Sequence, residues 1–174
     1  MNLLLDTHIA IWALNDDDAL SEKARALILD PDNTIYLSAV SIWEVMLKHS
    51  RRPENIPFDE ADFSAGCKEA GFVPLGLADK HVLAVRTLSR PVSCKAHNDP
   101  FDRLLIAQAK VENLSLLTHD ELIPDYGGEM YHPGLIISRP RHGHSPRRGH
   151  VRHSQSTGRF FYWLLLYIYG YRNS

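Results

Sequence analysis

The sequence predicts an α/β domain with a central, mainly parallel sheet flanked by helices, and three observations predict it. Short apolar runs alternate with longer segments of helical period, the order that builds parallel sheets through helical crossovers. Several of the helical segments open on start signals. Acids stand just past two of the runs, in Leu3-Leu4-Leu5-Asp6 and Leu116-Leu117-Thr118-His119-Asp120, where open α/β sheets build their sites.

In chain order, strands are expected at residues 2–5, 34–37, 72–74 and 114–117, with a weaker fifth at 135–137, all short apolar stretches between turn residues. Helices are expected at about 9–14, 21–29, 39–49, 59–70, 78–88 and 100–112. Ser38 is positioned to cap the third of them. Asn98-Asp99-Pro100 opens the last, with Asp99 as cap and Pro100 at the first helical position, where its missing N–H costs nothing.

The chain has 174 residues, 44% hydrophobic and 23% charged, which excludes a wholly disordered or collagen-like molecule. No apolar run reaches the roughly 18 residues that a membrane helix needs. Met1-Asn2-Leu3-Leu4-Leu5-Asp6 has no basic n-region, so the expected location is the cytoplasm. Cys67 and Cys94 form no CxxC pair, which argues against a disulfide framework or a thiolate metal site.

Charge divides the chain. Residues 1–138 hold all 21 Asp+Glu against 12 Lys+Arg, a balance of −9, whereas 139–174 hold seven Arg and no acid. The expected organisation is a folded domain over 1–138 and a basic, His-rich, disordered tail over 139–174, ending in the apolar run from Phe160 to Tyr169. The tail is read as a vestigial extension, with an RNA-contacting arm as the alternative. His142, His144, His150 and His153 would hold zinc only with a geometry that their spacing does not specify. An acidic body is a poor match for nucleic acid unless metal ions stand between its carboxylates and the phosphates.

Four acids are candidates for such a site. Asp6 and Asp120 follow strands, although either could simply cap a helix or close an Asx-turn. Asp102 lies in the first turn of the last helix, where the helix dipole alone would favour a carboxylate. Glu44, in Val40-Ser41-Ile42-Trp43-Glu44-Val45, is spaced beside an apolar helix face, where a carboxylate is costly without a partner. Converging on one sheet edge, these acids would suit hard divalent cations, Mg²⁺ or Mn²⁺, and hence metal-dependent phosphodiester hydrolysis.

The stretches Leu3-Leu4-Leu5-Asp6-Thr7-His8-Ile9-Ala10-Ile11-Trp12, Leu37-Ser38-Ala39-Val40-Ser41-Ile42-Trp43-Glu44-Val45, Asp99-Pro100-Phe101-Asp102-Arg103-Leu104-Leu105-Ile106-Ala107-Gln108-Ala109 and Leu117-Thr118-His119-Asp120 resemble the PIN-domain ribonucleases. Within them, the resemblance is to the VapC-type toxins of bacterial toxin–antitoxin systems. It covers roughly residues 2–138 and implies a PIN-like three-layer fold. It further implies metal and catalytic roles for Asp6, Glu44, Asp102 and Asp120, with Thr7, Ser38 and Thr118 as supporting hydroxyls. The implied activity is a Mg²⁺- or Mn²⁺-dependent endoribonuclease, and the implied partners are RNA, a small antitoxin protein and a second copy of the chain. The apolar residues of 78–88 are in keeping with such a dimer.

Other readings fit less well. A receiver domain would have an adjacent acidic pair after its first strand, and a haloacid-dehalogenase phosphatase would have Asp-x-Asp where this chain has His8. A housekeeping PIN nuclease shares the same acids and stays open as the alternative. A degenerate, non-catalytic PIN domain is disfavoured because all four acids are present. Lys48, Arg51 and Arg103 are weak candidates for phosphate contacts. His8 and His119 read as structural neighbours of the acids rather than bases, and the loop at 90–98 as a place where target choice could reside.

Overall fold

The structure is a computed structural model that describes residues 1–89, 98–120 and 123–126. In chain order it contains β1 (Asn2–Leu5), α1 (Thr7–Asn15), α2 (Glu22–Leu29), β2 (Thr34–Ser38), α3 (Ala39–Arg51), α4 (Glu60–Glu69), β3 (Val73–Leu75), α5 (Asp79–Ala84), α6 (Pro100–Glu112) and β4 (Ser115–Leu117). Single 3-10 turns cover Pro53–Asn55, Val85–Thr87 and Ile123–Tyr126.

The leucine run of β1 forms the heart of the sheet. Strand order is β3-β2-β1-β4, and every pairing is parallel. β1 pairs with β2 through Leu3 opposite Ile35 and Leu4 opposite Tyr36, and with β4 through Leu4 opposite Leu116 and Leu5 opposite Leu117. A central parallel strand is covered on both faces, which is why three successive leucines are needed and all are fully buried.

Side-chain alternation along β1 divides the core in two. Leu3 and Leu5 face a cluster made with Ile9, Ala10 and Ala13 of α1, Ala24 and Ile28 of α2, and Phe63 and Cys67 of α4. Leu4 faces the other way, onto Leu105, Ile106 and Ala109 of α6, with Leu116, Ile123 and Tyr126. α3 joins the layers, because Val45 packs in the first cluster and Val40 in the second. The result is the expected three-layer α/β arrangement.

Local chemistry sets the ends of the elements. Ser38 Oγ accepts the Val40 N–H at the start of α3, and Asp59 accepts the N–H groups of Ala61 and Asp62 at the start of α4. Asp99 caps α6 through the N–H of Phe101, with Pro100 in the first turn as the sequence requires.

Most boundaries differ from expectation by a residue or two, and three of them are instructive. The third strand begins at Val73 rather than Phe72, because Phe72 is buried and its N–H is bonded to the Cys67 carbonyl. Pro74 is tolerated there because β3 is an edge strand. The helix expected over 78–88 stops at Ala84 and tightens into the 3-10 turn, where the Thr87 hydroxyl takes the Ala84 carbonyl and Arg103 Nη2 takes that of Val85. α1 begins at Thr7, two residues earlier than its apolar period. The strand expected at 135–137 and the tail at 139–174 lie outside the described residues.

Two polar clamps tie α6 to its surroundings. Gln108, fully buried, accepts the Ser38 hydroxyl at 2.5 Å on Oε1 and donates from Nε2 to the Gly76 carbonyl at 3.2 Å. His81 of α5, also buried, accepts the Ala78 N–H on Nδ1, so Nε2 carries the proton and meets Glu112 Oε1 at 2.7 Å. Replacing Gln108 by Leu leaves the Ser38 hydroxyl and the Gly76 carbonyl without their partner. Gln108→Leu should therefore lose about 1–3 kcal/mol in urea unfolding, with the slope of the transition unchanged.

Candidate active site

Chain order makes β1 the point at which the sheet reverses direction, because β2 and β3 extend it on one side and β4 is added on the other. Crevices form at the carboxyl ends of strands at such a point. Asp6 is the first residue beyond β1, and its N–H bonds the Leu117 carbonyl of β4 at 3.0 Å. It occupies the N-cap position of α1 without using its side chain as a cap. Instead Asp6 Oδ2 accepts the Thr118 hydroxyl at 2.7 Å, and Thr118 Oγ1 in turn accepts the Asp120 N–H at 3.0 Å. One buried threonine thus fixes both the carboxylate beyond β1 and the backbone of the acid beyond β4.

Glu44 reaches the same edge from α3 and is 5% exposed. Its burial is compensated on both oxygens: the Thr7 hydroxyl donates to Oε2 at 2.6 Å, and Lys48 Nζ, one helical turn on, lies 2.6 Å from Oε1. Lys48 Nζ is also 3.2 Å from His8 Nε2. Burial lowers the His8 pKa against the opposing pull of Asp6, so this ring favours the neutral state.

Asp102 completes the group from the first turn of α6. Because Asp99 already caps this helix, Asp102 is not needed as a cap. Its carboxyl is pushed up to about 8, first by burial and then by the negative charges of Asp6, Asp99, Glu44 and Asp120. All four candidate acids therefore share one electrostatic field.

Among the described residues, no set of three His, Cys, Asp or Glu side chains is already arranged to hold a metal ion. The donor chemistry nevertheless fits a divalent cation. The groups are hard oxygen donors, and Asp102 carries a repulsion from its neighbours that a bound cation would relieve.

Of the expected supporting hydroxyls, Thr7 and Thr118 bond the acids, whereas Ser38 caps α3 and bonds Gln108. Two further roles emerge from the packing. Gln108 braces Ser38 from α6, which no local pattern signals. Lys48 pairs with Glu44, a contact already implied by their i, i+4 spacing. Arg103, considered for phosphate, donates to the Val85 carbonyl.

The raised Asp102 pKa makes stability depend on pH. The folded protein keeps a proton on this group that the unfolded chain has released, so the stability from Asp102 is full below about pH 4 and is lost as pH rises to about 8. In EDTA, Tm should fall between pH 5 and pH 8, and Asp102→Asn should flatten that decline. Adding Mn²⁺ at pH 8 should raise the wild-type Tm and raise that of Asp102→Asn by less. Equal pH slopes in the two proteins would count against a raised Asp102 pKa.

Comparison with known proteins places the chain in a family. Among solved structures that resemble the chain is VapBC2 from Rickettsia felis bound to a DNA fragment from their promoter, at 19% identity and a TM-score of 0.49, covering 69% of this chain and 88% of that one. No curated protein sequence matches the chain. The family model described as PIN domain matches residues 3–129, a span that takes in all four acids and every described element but for Asn2 at the start of β1, and on this ground the chain belongs to the PIN domain family.

Proposed function

We propose that this protein is a metal-dependent endoribonuclease that hydrolyses RNA phosphodiester bonds and acts as a growth-inhibiting toxin neutralised by a cognate antitoxin. PIN domains are nucleases, and membership of the family supports hydrolysis of a phosphodiester. The observation that carries the reading is the raised pKa of Asp102, which burial first and then the charges of Asp6, Asp99, Glu44 and Asp120 make hard to ionise without an added cation. The toxin assignment rests on the four sequence motifs and their order.

In this reading Asp6, Glu44, Asp102 and Asp120 hold Mg²⁺ or Mn²⁺, which when bound supplies charge neutralisation at the phosphate and acidification of a water molecule. The chain's own groups orient the acids. The Thr118 hydroxyl fixes Asp6 and the Asp120 backbone, Thr7 fixes one oxygen of Glu44, and Lys48 holds the other. Neutral His8, beside Lys48, adds no charge to the site. The folded unit is taken to be 1–138, and 139–174 to be dispensable for catalysis.

No helix of the described residues is long and apolar enough to cross a membrane, in keeping with a cytoplasmic site of action. A homodimer is supported by α5, whose Val82 and Leu83 are 51% and 68% exposed. Light scattering at micromolar concentration should give the mass of a dimer for the wild type and a monomer for Leu83→Asp.

Purified protein should cleave RNA in Mg²⁺ or Mn²⁺ and stop in EDTA. Asp6→Asn, which keeps the shape and removes the charge, should lower turnover by at least about 100-fold with Tm retained, and should abolish growth arrest on expression. Cleavage that continues in EDTA would sink the metal-dependent reading. A growth arrest that persists in Asp6→Asn would sink the toxin assignment.

A further inference from the structure

Glu44 meets a positive charge supplied by its own helix. Residues four apart on α3 share a face, and Lys48 Nζ lies 2.6 Å from Glu44 Oε1 while the Thr7 hydroxyl donates to Oε2 at 2.6 Å. Each oxygen of this buried carboxylate therefore has a donor from the chain. Lys48 differs from a surface partner in where its head lies. Its side chain is 40% exposed and lines the groove beside His8, yet its ammonium turns back onto a carboxylate that solvent hardly reaches.

The same ammonium makes a second contact that the spacing on α3 does not foresee. Nζ is 3.2 Å from His8 Nε2 on α1. An ammonium can only donate, so this nitrogen of His8 accepts and the ring proton lies on Nδ1. The ring orients the lysine head without adding a charge to it. Asp6, Glu44 and Lys48 all act on the His8 ring through their charges, so the ammonium stands within the field of the site acids.

We propose that Lys48 is a positioning residue that acts as a resident counter-ion: its ammonium occupies the Glu44 side of the acid group, and a divalent cation binds there only against it. The ammonium repels a second cation and takes a lone pair on Glu44 Oε1 that the cation would otherwise use, so the acids hold the metal less tightly than their number implies. Metal loading then follows the supply of divalent ion. The inference rests on the metal-dependent reading and adds its regulation. A lysine that only braced Glu44 would act in the opposite sense, because losing it would leave that carboxylate loose and weaken metal binding. The sign of the change separates the two roles.

The test is a Mn²⁺ titration of the full chain, stripped of metal with EDTA and dialysed, with free Mn²⁺ read from its electron paramagnetic resonance signal and no substrate present. Lys48→Met keeps the length of the stem and removes the charge, Lys48→Gln removes the charge but can still donate to Glu44, and Lys48→Arg keeps the charge. Lys48→Met and Lys48→Gln should bind Mn²⁺ at least about tenfold more tightly than the wild type. Lys48→Arg should stay within about threefold of the wild type. Circular dichroism in EDTA checks that each variant is folded, and Lys48→Gln decides the matter if Lys48→Met is not.

Equal Mn²⁺ affinity in the wild type and Lys48→Gln would overturn the proposal, and so would weaker binding, which would leave Lys48 as a brace for Glu44. Tight binding by Lys48→Arg would also overturn it, because charge would then not be the cause. If Asp6→Asn abolishes Mn²⁺ uptake while the Lys48 variants match the wild type, the metal-dependent reading stands and only the role of Lys48 falls. If none of the proteins takes up Mn²⁺, both fall.

Discussion

Burial of carboxylates at the carboxyl edge of β1 and β4, with the mutual repulsion it leaves unscreened, is the constraint on which the rest of the molecule depends. Water would screen these charges on an open surface, but here Asp6 and Glu44 are buried and Asp102 is raised to about 8. Such a cluster is tolerated only if each buried oxygen has a donor and the elements carrying the acids cannot move apart. The structure meets the first condition with Thr7, Thr118 and Lys48, and the second with the core beneath.

That core works through alternation along a single strand. Leu3 and Leu5 anchor α1, α2 and α4, Leu4 anchors α6, and α3 reaches both layers through Val40 and Val45. Three of the four acids lie close to one of these anchors in the chain: Asp6 directly after Leu5, Glu44 directly before Val45, and Asp102 three residues before Leu105. Packing of leucines and valines therefore fixes the positions of the charges, and the contact of Gln108 with Ser38 ties α6 to the start of α3 across the edge.

The aromatics beside the acids differ in how far they are covered. Phe101 packs against the Leu4 side of the core, whereas Trp43, beside Glu44, keeps part of its surface in solvent. The two rings meet edge to face, whereas Phe58 and Phe63 stack on one another and are buried.

The sequence by itself determined the elements and the identity of the candidate acids. Alternating apolar runs and helical periods are short-range patterns, and they fix β1, β2, β4 and most helices to within a residue or two. Caps such as Ser38 and Asp99 were equally legible, because a cap acts on backbone two or three residues away. The split of the 78–88 helix was not, since its cause lies in Arg103 of another helix reaching the Val85 carbonyl. Nor could the sequence decide whether Asp6 caps α1 or faces a site. That choice was made by Thr118, more than a hundred residues away, which approaches Asp6 only because β4 pairs with β1. Contacts of that range depend on strand order, and strand order is set by how the whole chain buries its apolar surface, not by any local signal.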